Sequence, residues 1–333
     1  MRRPRILYVH SRKASFIAID REILAERYEI DDLYQPGRLP DLLRVISGIL
    51  RADLVFCWFA SWHSFFPITV AWLLRKPSVQ IIGGFDTANM PDIQYGHQRG
   101  GLRRWASRWI MRRATRLVTN SEYSRSEIAA NTPFGSDQVT VVHHGVPDPF
   151  GPLDVTRPRD RLALNVGAID AGTLVQKGQL PFVQAARQLP DVRFVLAGKW
   201  LDDSVEQLRS IAPDNVELTG WLSDADLHDL YRRASVYVQP SRHEGFGLAV
   251  AEAMLAGCVP VVMDVTAMPE VVADAGVLIS SQDPEAVANG IQAALDRGPD
   301  APARARARIL ETFPLQIRRD GILTVVQEAL RRR

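Results

Sequence analysis

Short apolar segments alternate with amphipathic segments of helical length along the chain, and this alternation restricts the possible folds more than any other feature. In the first half, apolar strands are predicted at residues 5–10, 54–59, 79–82, 117–119 and 139–142. The second half repeats the pattern, with strands predicted at residues 162–166, 193–197, 216–218, 236–239, 259–263 and 276–279. Such alternation favours parallel sheets with crossover helices. The sequence therefore predicts an α/β protein with two Rossmann-like, doubly wound domains that face a central cleft.

The chain length and one segment rich in turn-forming residues indicate where the two domains meet. At 333 residues, the chain exceeds the roughly 250–300 residues at which a single hydrophobic core usually stops growing. Residues 145–158 are rich in Gly, Pro and Asp, which is typical of a linker. We therefore expect an N-terminal domain over residues 1–150, a C-terminal domain over 151–312, and a final helix within 313–333 that returns toward the N-terminal domain.

Charge and composition narrow the class of protein. Residues 1–150 carry 20 Lys and Arg against 14 Asp and Glu, whereas the remaining residues carry 20 against 24. The basic first half lacks a nucleic-acid recognition module and the second half is acidic, so we expect no nucleic-acid partner. No apolar stretch is long enough for a membrane span or a signal peptide, which predicts a cytoplasmic protein. Cys57 and Cys258 lack metal-ligand spacing, so we expect reduced thiols and no metal.

The segment SRHEGFGLAVAEAMLAGC contains two carboxylates, Glu244 and Glu252, on either side of a turn from a strand into a helix. The N-terminus of a helix offers free N–H groups and a positive dipole that attract phosphate, and glycines allow close backbone approach. Carboxylates accept hydrogen bonds from hydroxyl groups. The pattern suits a ligand with sugar hydroxyls at both ends and phosphates between them.

This segment resembles the signature of family 4 glycosyltransferases of the GT-B fold. Glu244 and Glu252 stand in PSRHEGFGLAVAEAMLAGCVPVV, and the similarity continues in LTGWLSDADLHDLYRRASVYVQPS, VRFVLAGKW and NVGAIDAGTLVQKGQ. It covers nearly all of residues 139–330, whereas the first 130 residues resemble the family in layout only. The resemblance implies an enzyme that moves a hexosyl group from a nucleotide-diphosphate sugar to an acceptor with retention of configuration. It also implies that no cofactor or metal is tightly bound, that the C-terminal domain binds the donor, and that the N-terminal domain binds the acceptor.

The resemblance also implies roles for single residues. Glu244 would bind hydroxyls of the transferred sugar, Glu252 would bind the ribose, and Lys177 would offset the charge that develops on the leaving diphosphate. Gly167 would let its loop approach the diphosphate. Further donor contacts are implied for the backbone amides of Gly245, Phe246, Gly247 and Leu248, and for the side chains of Lys199, Trp221 and Leu222 around the base.

The sequence departs from the family pattern at two places. Family members commonly carry an arginine where this chain has Ala168, and we consider Arg242 or Lys199 as a replacement cation near the phosphates. The loop after the first strand lacks the usual glycines, and it leads into Ser15 and Phe16 on the acceptor side. This second departure bears on the identity of the acceptor.

The segment GGFDTANMPDIQYGH follows a predicted strand of the first domain and holds the acceptor-side candidates. Asp86 is the leading candidate for a contact with the acceptor or the donor sugar, with Tyr95 and His97 behind it. A structural alternative for Asp86 is an Asx turn after the two glycines. No general base is assigned, since the leaving phosphate oxygen can take the acceptor proton.

The segment from Gly101 to Arg116, GLRRWASRWIMRRATR, carries six arginines, with Trp105 and Trp109 one helical turn apart. One interpretation is peripheral contact with an anionic membrane. The other is a helix that packs its tryptophans on the domain's own sheet. We expect a monomer or a small homo-oligomer. An epimerase, a phosphorylase or a sugar-nucleotide-binding protein without turnover are the alternative functions, and Ala168 motivates the last of these.

Overall fold

The computed structural model of the chain describes residues 2–37, 41–154 and 158–331. Residues 155–157 of the predicted linker, and the last two residues of the predicted final helix, lie outside the described residues. The chain divides into two compact units, of which the second is Val146–Pro314. The first unit comprises the residues up to Gly145 and those from Leu315 onward. Each unit contains one six-stranded parallel sheet covered by helices on both faces, which confirms the predicted fold class.

The sheet of the first unit has the order β2-β1-β3-β4-β5-β6. Its strands are β1 Arg5–His10, β2 Glu29–Tyr34, β3 Leu54–Trp58, β4 Ser78–Ile82, β5 Arg116–Thr119 and β6 Val139–Val141. Its helices before the second unit are α1 Ser15–Ala25, α2 Leu42–Arg51, α3 Trp62–Leu73, α4 Gly101–Arg113 and α5 Glu122–Asn131. Alternate side chains of β1 and β3 enter opposite cores, since Tyr8 and Phe56 pack with α1 while Val9 and Cys57 pack with α2 to α5.

The sheet of the second unit has the order β12-β11-β10-β7-β8-β9. Its strands are β7 Asp160–Val166, β8 Arg193–Ala197, β9 Val216–Gly220, β10 Ala234–Gln239, β11 Val259–Met263 and β12 Val277–Ile279. Its helices are α6 Ala171–Gln176, α7 Gln179–Ala185, α8 Ser204–Ile211, α9 Asp224–Arg233, α10 Leu248–Leu255, α11 Met268–Val272, α12 Pro284–Leu295 and α13 Ala301–Thr312. The chain starts at β7, runs outward to β9 and then returns to β10 on the other side, so the order reverses between β7 and β10.

The last helix, α14 Leu315–Arg331, packs on the first unit beside α1. Arg318 is almost fully buried there, and both of its terminal contacts to Asp20 are short, at 2.8 Å from Nε to Oδ1 and 2.6 Å from Nη2 to Oδ2. Arg318 also donates to the carbonyl of Val142 at 2.6 Å. A bidentate buried pair therefore fixes the C-terminal helix to the first unit.

Local sequence patterns do not indicate every element of the structure, and β2 and α13 are two examples. The strand β2, EIDDLY, lies at the sheet edge and buries only Leu33, so its three acidic residues hide the apolar pattern of a strand. The helix α13, APARARARILET, alternates Ala and Arg and lacks a helical apolar period, although Ala305 and Ile309 are buried. Both elements are therefore recognisable only from their packing.

Candidate active site

The candidate site of the second unit lies at the carboxyl ends of β7 and β10. These two strands pair directly, and they are the point at which the strand order reverses. In open parallel sheets, ligands bind outside the carboxyl ends of the strands at this topological switch point. The loops that follow are residues 167–170 after β7 and residues 240–247 after β10. The segments predicted from the sequence thus meet at the switch point.

Backbone and side-chain hydrogen bonds connect the segment after β7 to the segment after β10. The backbone N–H of Arg242 donates to the carbonyl of Gln176 at 2.8 Å. In return, Nε2 of Gln176 donates to the carbonyl of His243 at 2.5 Å. Gln176 is the last residue of α6, so these bonds hold the end of that helix, and Lys177 directly after it, against the loop that carries Glu244.

Lys177, Glu244 and Gly167 lie together at this position. Nζ of Lys177 is 3.8 Å from Oε1 of Glu244, and the two side chains are 32% and 17% exposed. A Cβ atom built on Gly167 would lie 3.5 Å from Cδ of Lys177, so the glycine keeps the space beside the ammonium group open. The site therefore presents one cation and one hydrogen-bond acceptor at a surface that solvent reaches.

Two residues of the β10 end orient the Glu244 carboxylate. Nε2 of Gln239 donates to its Oε1 at 2.7 Å, and Oγ of Ser241 donates to the same oxygen at 3.2 Å. The hydroxyl of Tyr237 in turn donates to Oε1 of Gln239 at 3.0 Å, which fixes the amide orientation. The sequence analysis did not identify Gln239 or Ser241. Their position at the end of a buried strand, just before Glu244, is the signal that could have found them.

The N-terminus of α10 follows Glu244 directly. Gly247 caps the helix with a φ of 96°, a left-handed conformation that side chains other than glycine seldom adopt. Phe246 is buried and packs edge-to-face on Phe313 with ring centroids 5.1 Å apart, so it anchors the loop from below. Gly245 and Leu248 are partly exposed on either side of this anchor. The first N–H groups of a helix lack intrahelical partners, which favours an anion here.

Glu252 lies one turn further along α10, where it is partly buried. Burial raises its pKa to about 7, and the negative charge of Asp224 adds to the effect. A carboxyl group at this pKa changes between a donor and a pure acceptor near neutral pH.

The remaining donor-side candidates lie around this core. Lys199 is exposed after β8, and its ammonium group lies 6.0 Å from the ring centroid of Trp221. The Trp221 side chain is largely exposed, while Leu222 is partly buried against the core of the unit. Arg242 is partly exposed in the loop after β10. Lys199 and Trp221 thus form an exposed pair suited to a planar base.

Asp86 and His97, two acceptor-side candidates of the first unit, are more buried than Lys177 and Glu244 of the second unit. Asp86 is 1% exposed, and its Oδ2 accepts hydrogen bonds from the backbone N–H groups of Ala60 at 3.0 Å and Gly83 at 3.1 Å. Burial raises the pKa of Asp86 and lowers the pKa of His97, and the attraction between the two charges opposes both shifts. Phe85 contacts both Tyr95 and His97 edge-to-face, with ring centroids 4.8 Å apart in each case. The Asp86 carboxylate therefore already serves two backbone amides.

Ser15 and Phe16 start α1 after the first strand. Ser15 is exposed, whereas Phe16 is partly buried in a ring cluster with Trp58 and His144, at centroid distances of 5.0 and 5.5 Å. Within the described ranges, no group of three or more His, Cys, Asp or Glu side chains is arranged to hold a metal ion. No helix in the part of the chain that the structure describes is long and apolar enough to cross a bilayer.

Comparisons with known proteins identify the family and the fold. Residues 3–148 match the family model for glycosyltransferase family 4, and residues 161–297 match the model for glycosyl transferases group 1. The chain is 31% identical over 186 residues to O-antigen chain mannosyltransferase B of Escherichia coli, a match that covers 51% of this chain and 49% of the relative. It is 33% identical over 140 residues to the GDP-mannose:cellobiosyl-diphosphopolyprenol alpha-mannosyltransferase of Xanthomonas oryzae pv. oryzae (strain PXO99A), with 40% and 35% covered.

The matched part of the chain thus spans about half or less of these two relatives. Among solved structures, the Anabaena protein Alr3699/HepE in complex with UDP and glucose superimposes with a TM-score of 0.75 at 17% identity, covering 98% of this chain and 100% of that one. This similarity concerns the fold. Since both halves match glycosyltransferase models and the sheets are those of the GT-B fold, the chain belongs to the family 4 glycosyltransferases.

Proposed function

We propose that this enzyme transfers a hexosyl group from a nucleotide-diphosphate sugar to an acceptor hydroxyl, with retention of configuration and without a metal. The observation that carries the proposal is the position of Lys177 3.8 Å from Glu244, at the switch point and beside the N-terminus of α10. A fixed cation there neutralises the charge that develops on the leaving diphosphate, which is the task of a metal ion in other enzymes. The C-terminal domain binds the donor, and the N-terminal domain supplies the acceptor contacts.

The proposed reaction needs little proton transfer by the protein. The bond between C1 of the sugar and the β-phosphate oxygen breaks, and a bond between C1 and the acceptor oxygen forms on the same face of the ring. The acceptor proton passes to the departing phosphate oxygen, so atoms and charges balance without a protein base. Glu244 holds hydroxyls of the transferred sugar, Glu252 holds the ribose, and Lys199 with Trp221 flanks the base.

The names of the relatives suggest which donor to test first. One relative is an O-antigen mannosyltransferase, and another carries GDP-mannose and a diphosphopolyprenol acceptor in its name. We therefore propose GDP-mannose as the first donor and a glycan or lipid-linked intermediate as the acceptor, with a small molecule as a further acceptor class. Ala168 motivates a second candidate function, a sugar-nucleotide-binding protein of the same fold that has lost turnover.

A donor panel with product analysis tests the proposal. The protein is incubated with GDP-mannose, UDP-glucose, ADP-glucose and TDP-glucose in the presence of EDTA, and proton NMR follows nucleoside diphosphate release and the anomeric configuration of the product. We expect one donor to turn over with its configuration retained. Glu244→Ala and Lys177→Ala should each abolish this turnover, and both variants should remain folded. An inverted product would contradict the mechanism, and tight binding without turnover would support the second candidate.

A further inference from the structure

The helices α2, α3 and α4 lie side by side on one face of the first sheet. Their inner side chains share a single core cluster, to which Val45 and Ile49, Ile68 and Ala71, and Ile110 and Met111 contribute, one pair from each helix. The outer sides of the three helices therefore point away from the sheet in the same general direction. We call these outer sides the three-helix surface.

This surface exposes apolar side chains at helical spacing. Leu43 of α2 is 83% exposed, Leu73 of α3 is 65% exposed and Leu102 of α4 is 73% exposed. On α2 and α3, the exposed side chains recur at intervals of three, four or seven residues and so form one stripe per helix; they are Leu43, Ile46, Leu50, Trp62, Phe66 and Leu73. Contiguous apolar side chains exposed in this way mark a surface that contacts another molecule or a membrane.

The charge on the three-helix surface has one sign. The three helices, residues 42–51, 62–73 and 101–113, contain seven Arg and no Lys, Asp or Glu, and one of the seven, Arg51, pairs with Asp31 of β2. Arg103, Arg104 and Arg112 are exposed, and none of them forms an ion pair with a residue that the structure describes. Apolar stripes among unpaired cations are complementary to an anionic, partly apolar partner.

Arginines and indole rings are interleaved on α4. The guanidinium carbon of Arg113 lies 3.0 Å from the ring centroid of Trp109 and 4.6 Å from that of Trp72 on α3. Trp109 donates from Nε1 to Oγ1 of Thr69 at 3.0 Å, so its ring is fixed between the helices, whereas Trp105 remains 49% exposed. A groove of about 730 Å³ along α4 is lined by these two tryptophans and by four arginines. Its size and charge suit lipid phosphate groups.

We propose that the three-helix surface binds the headgroup region of an anionic lipid bilayer, with its leucines and exposed tryptophans in the interface and its arginines at the phosphates. A bilayer fits better than a folded protein because the apolar side chains lie on three separate helices and arginines stand between them. The proposal extends the contact predicted for α4 to α2 and α3, and it is independent of the transfer reaction, since no residue of the donor site takes part.

Vesicle flotation tests this proposal with variants of both kinds. The full chain is mixed with vesicles of pure phosphatidylcholine, or with vesicles that also contain about 30% phosphatidylglycerol as a model of an anionic membrane. We expect flotation with the anionic vesicles only. Arg103→Gln/Arg104→Gln/Arg112→Gln should weaken partitioning by roughly 100-fold, because each basic residue near such a surface contributes about fivefold. Leu43→Ser/Leu73→Ser/Leu102→Ser should also release the protein, and low salt should not restore its binding.

Matched controls separate this surface from general charge and apolarity. Arg27→Gln/Arg304→Gln/Arg331→Gln lowers the net charge equally at exposed positions elsewhere, and Leu201→Ser removes a leucine of similar exposure from the second unit. Both controls should float like the wild type. If the wild type does not float, or the surface variants float as well as the controls, the proposal is overturned. Self-association that only the leucine variants abolish, without flotation, would assign the surface to a second copy of the chain instead.

Quenching by brominated acyl chains measures whether the rings enter the interface. Bromine quenches indole fluorescence only at short range, so vesicles brominated near the headgroup should quench the wild type. Trp62→Phe/Trp72→Phe/Trp105→Phe should lose most of this quenching while still floating, because phenylalanine retains the apolar contact. Unchanged quenching in this variant would contradict the proposed orientation.

Discussion

The two units share a parallel, doubly wound sheet but fill the switch point of that sheet differently. In the second unit, the loops after β7 and β10 present Lys177 and Glu244 as partly exposed polar groups. In the first unit, where the order reverses between β1 and β3, the corresponding ends carry Phe16, Trp58 and Phe59, with ring centroids 5.0–6.3 Å apart. One sheet end presents a cation and a carboxylate to solvent, and the other is packed with the protein's own rings. The fold gives the position of a site, and the side chains decide what it binds.

The largest expected effect concerns the buried pair that completes the first unit. Arg318→Met removes both bonds to Asp20 and leaves a buried carboxylate without its cation. We expect the free energy of unfolding of the first unit to fall by about 3–5 kcal/mol, measured by denaturant unfolding. Donor binding by the second unit should persist at low denaturant, because the hydrogen bonds that the structure describes for Arg318 all lie within the first unit. Loss of both together would contradict the division of roles between the units.

A variant of the neighbouring Arg319 serves as the control for Arg318→Met. The pH dependence of stability then tests whether the unpaired Asp20 carboxylate causes the loss. Arg319 lies on the same helix as Arg318 and binds Glu26, the residue after α1, but solvent screens this pair, so Arg319→Met should lower the free energy of unfolding far less than Arg318→Met. Burial raises the pKa of Asp20, and Arg318 opposes this shift. Without Arg318 the folded state takes up a proton more readily than the unfolded state, so the variant loses stability as pH rises above about 4. Its deficit should therefore shrink toward acidic pH.

The second prediction concerns Lys177, at the carboxyl ends of β7 and β10 in the second unit. Lys177→Met keeps most of the side-chain volume but removes the ammonium group, so charge on the leaving diphosphate is no longer neutralised. We expect kcat to fall about 100- to 1000-fold, as for the loss of one preorganised electrostatic group, with little change in the thermal midpoint. Arg209→Met removes an exposed cation that pairs with Glu206 and stacks on Trp200, and it should leave kcat unchanged. Equal kcat in both variants would reject the role of Lys177.

The third prediction tests whether Asp86 of the first unit stabilises the fold or contacts a substrate. Because its Oδ2 accepts from two backbone N–H groups, Asp86→Asn should lower the free energy of unfolding by about 1–3 kcal/mol. The exposed Asp137→Asn in the same unit should not. A variant of unchanged stability with a reduced kcat would show instead that Asp86 contacts the acceptor or the donor sugar. Thermal unfolding and kcat measured on the same preparations separate the two roles.

Local sequence patterns predicted the second unit better than the first, for a physical reason. Glu244, its glycines and the start of α10 follow one another in the chain, so their spacing alone indicates a strand, a turn and a helix N-terminus. The surroundings of Asp86 depend on Ala60, 26 residues earlier, and the orientation of Glu244 depends on the amide of Gln239. The meeting of Lys177 with Glu244 depends on the strand order, which no local pattern specifies, and in the sequence only the resemblance to the family implied it. Side-chain burial and partner choice arise from packing between distant segments, and no local period encodes them.

The smallest expected effect is a dependence of donor affinity on pH that arises from Glu252 in the second unit. Burial raises the pKa of this carboxyl to about 7, so near neutrality about half of the free enzyme carries its proton. A carboxylate accepts ribose hydroxyl bonds more strongly than the protonated acid, and the proton must leave when the donor binds. Donor affinity should therefore rise from pH 6 to pH 8 by about fivefold, which corresponds to the roughly 1 kcal/mol between charged and neutral hydrogen bonds. Glu252→Gln should bind the donor weakly at both pH values, so its donor affinity should not depend on pH.

Calorimetric titration must use the intact nucleotide sugar, because the terminal phosphate of a free nucleoside diphosphate itself titrates near pH 6. A slope that persists in the variant would assign the titration to another group and leave Glu252 without contact to the donor.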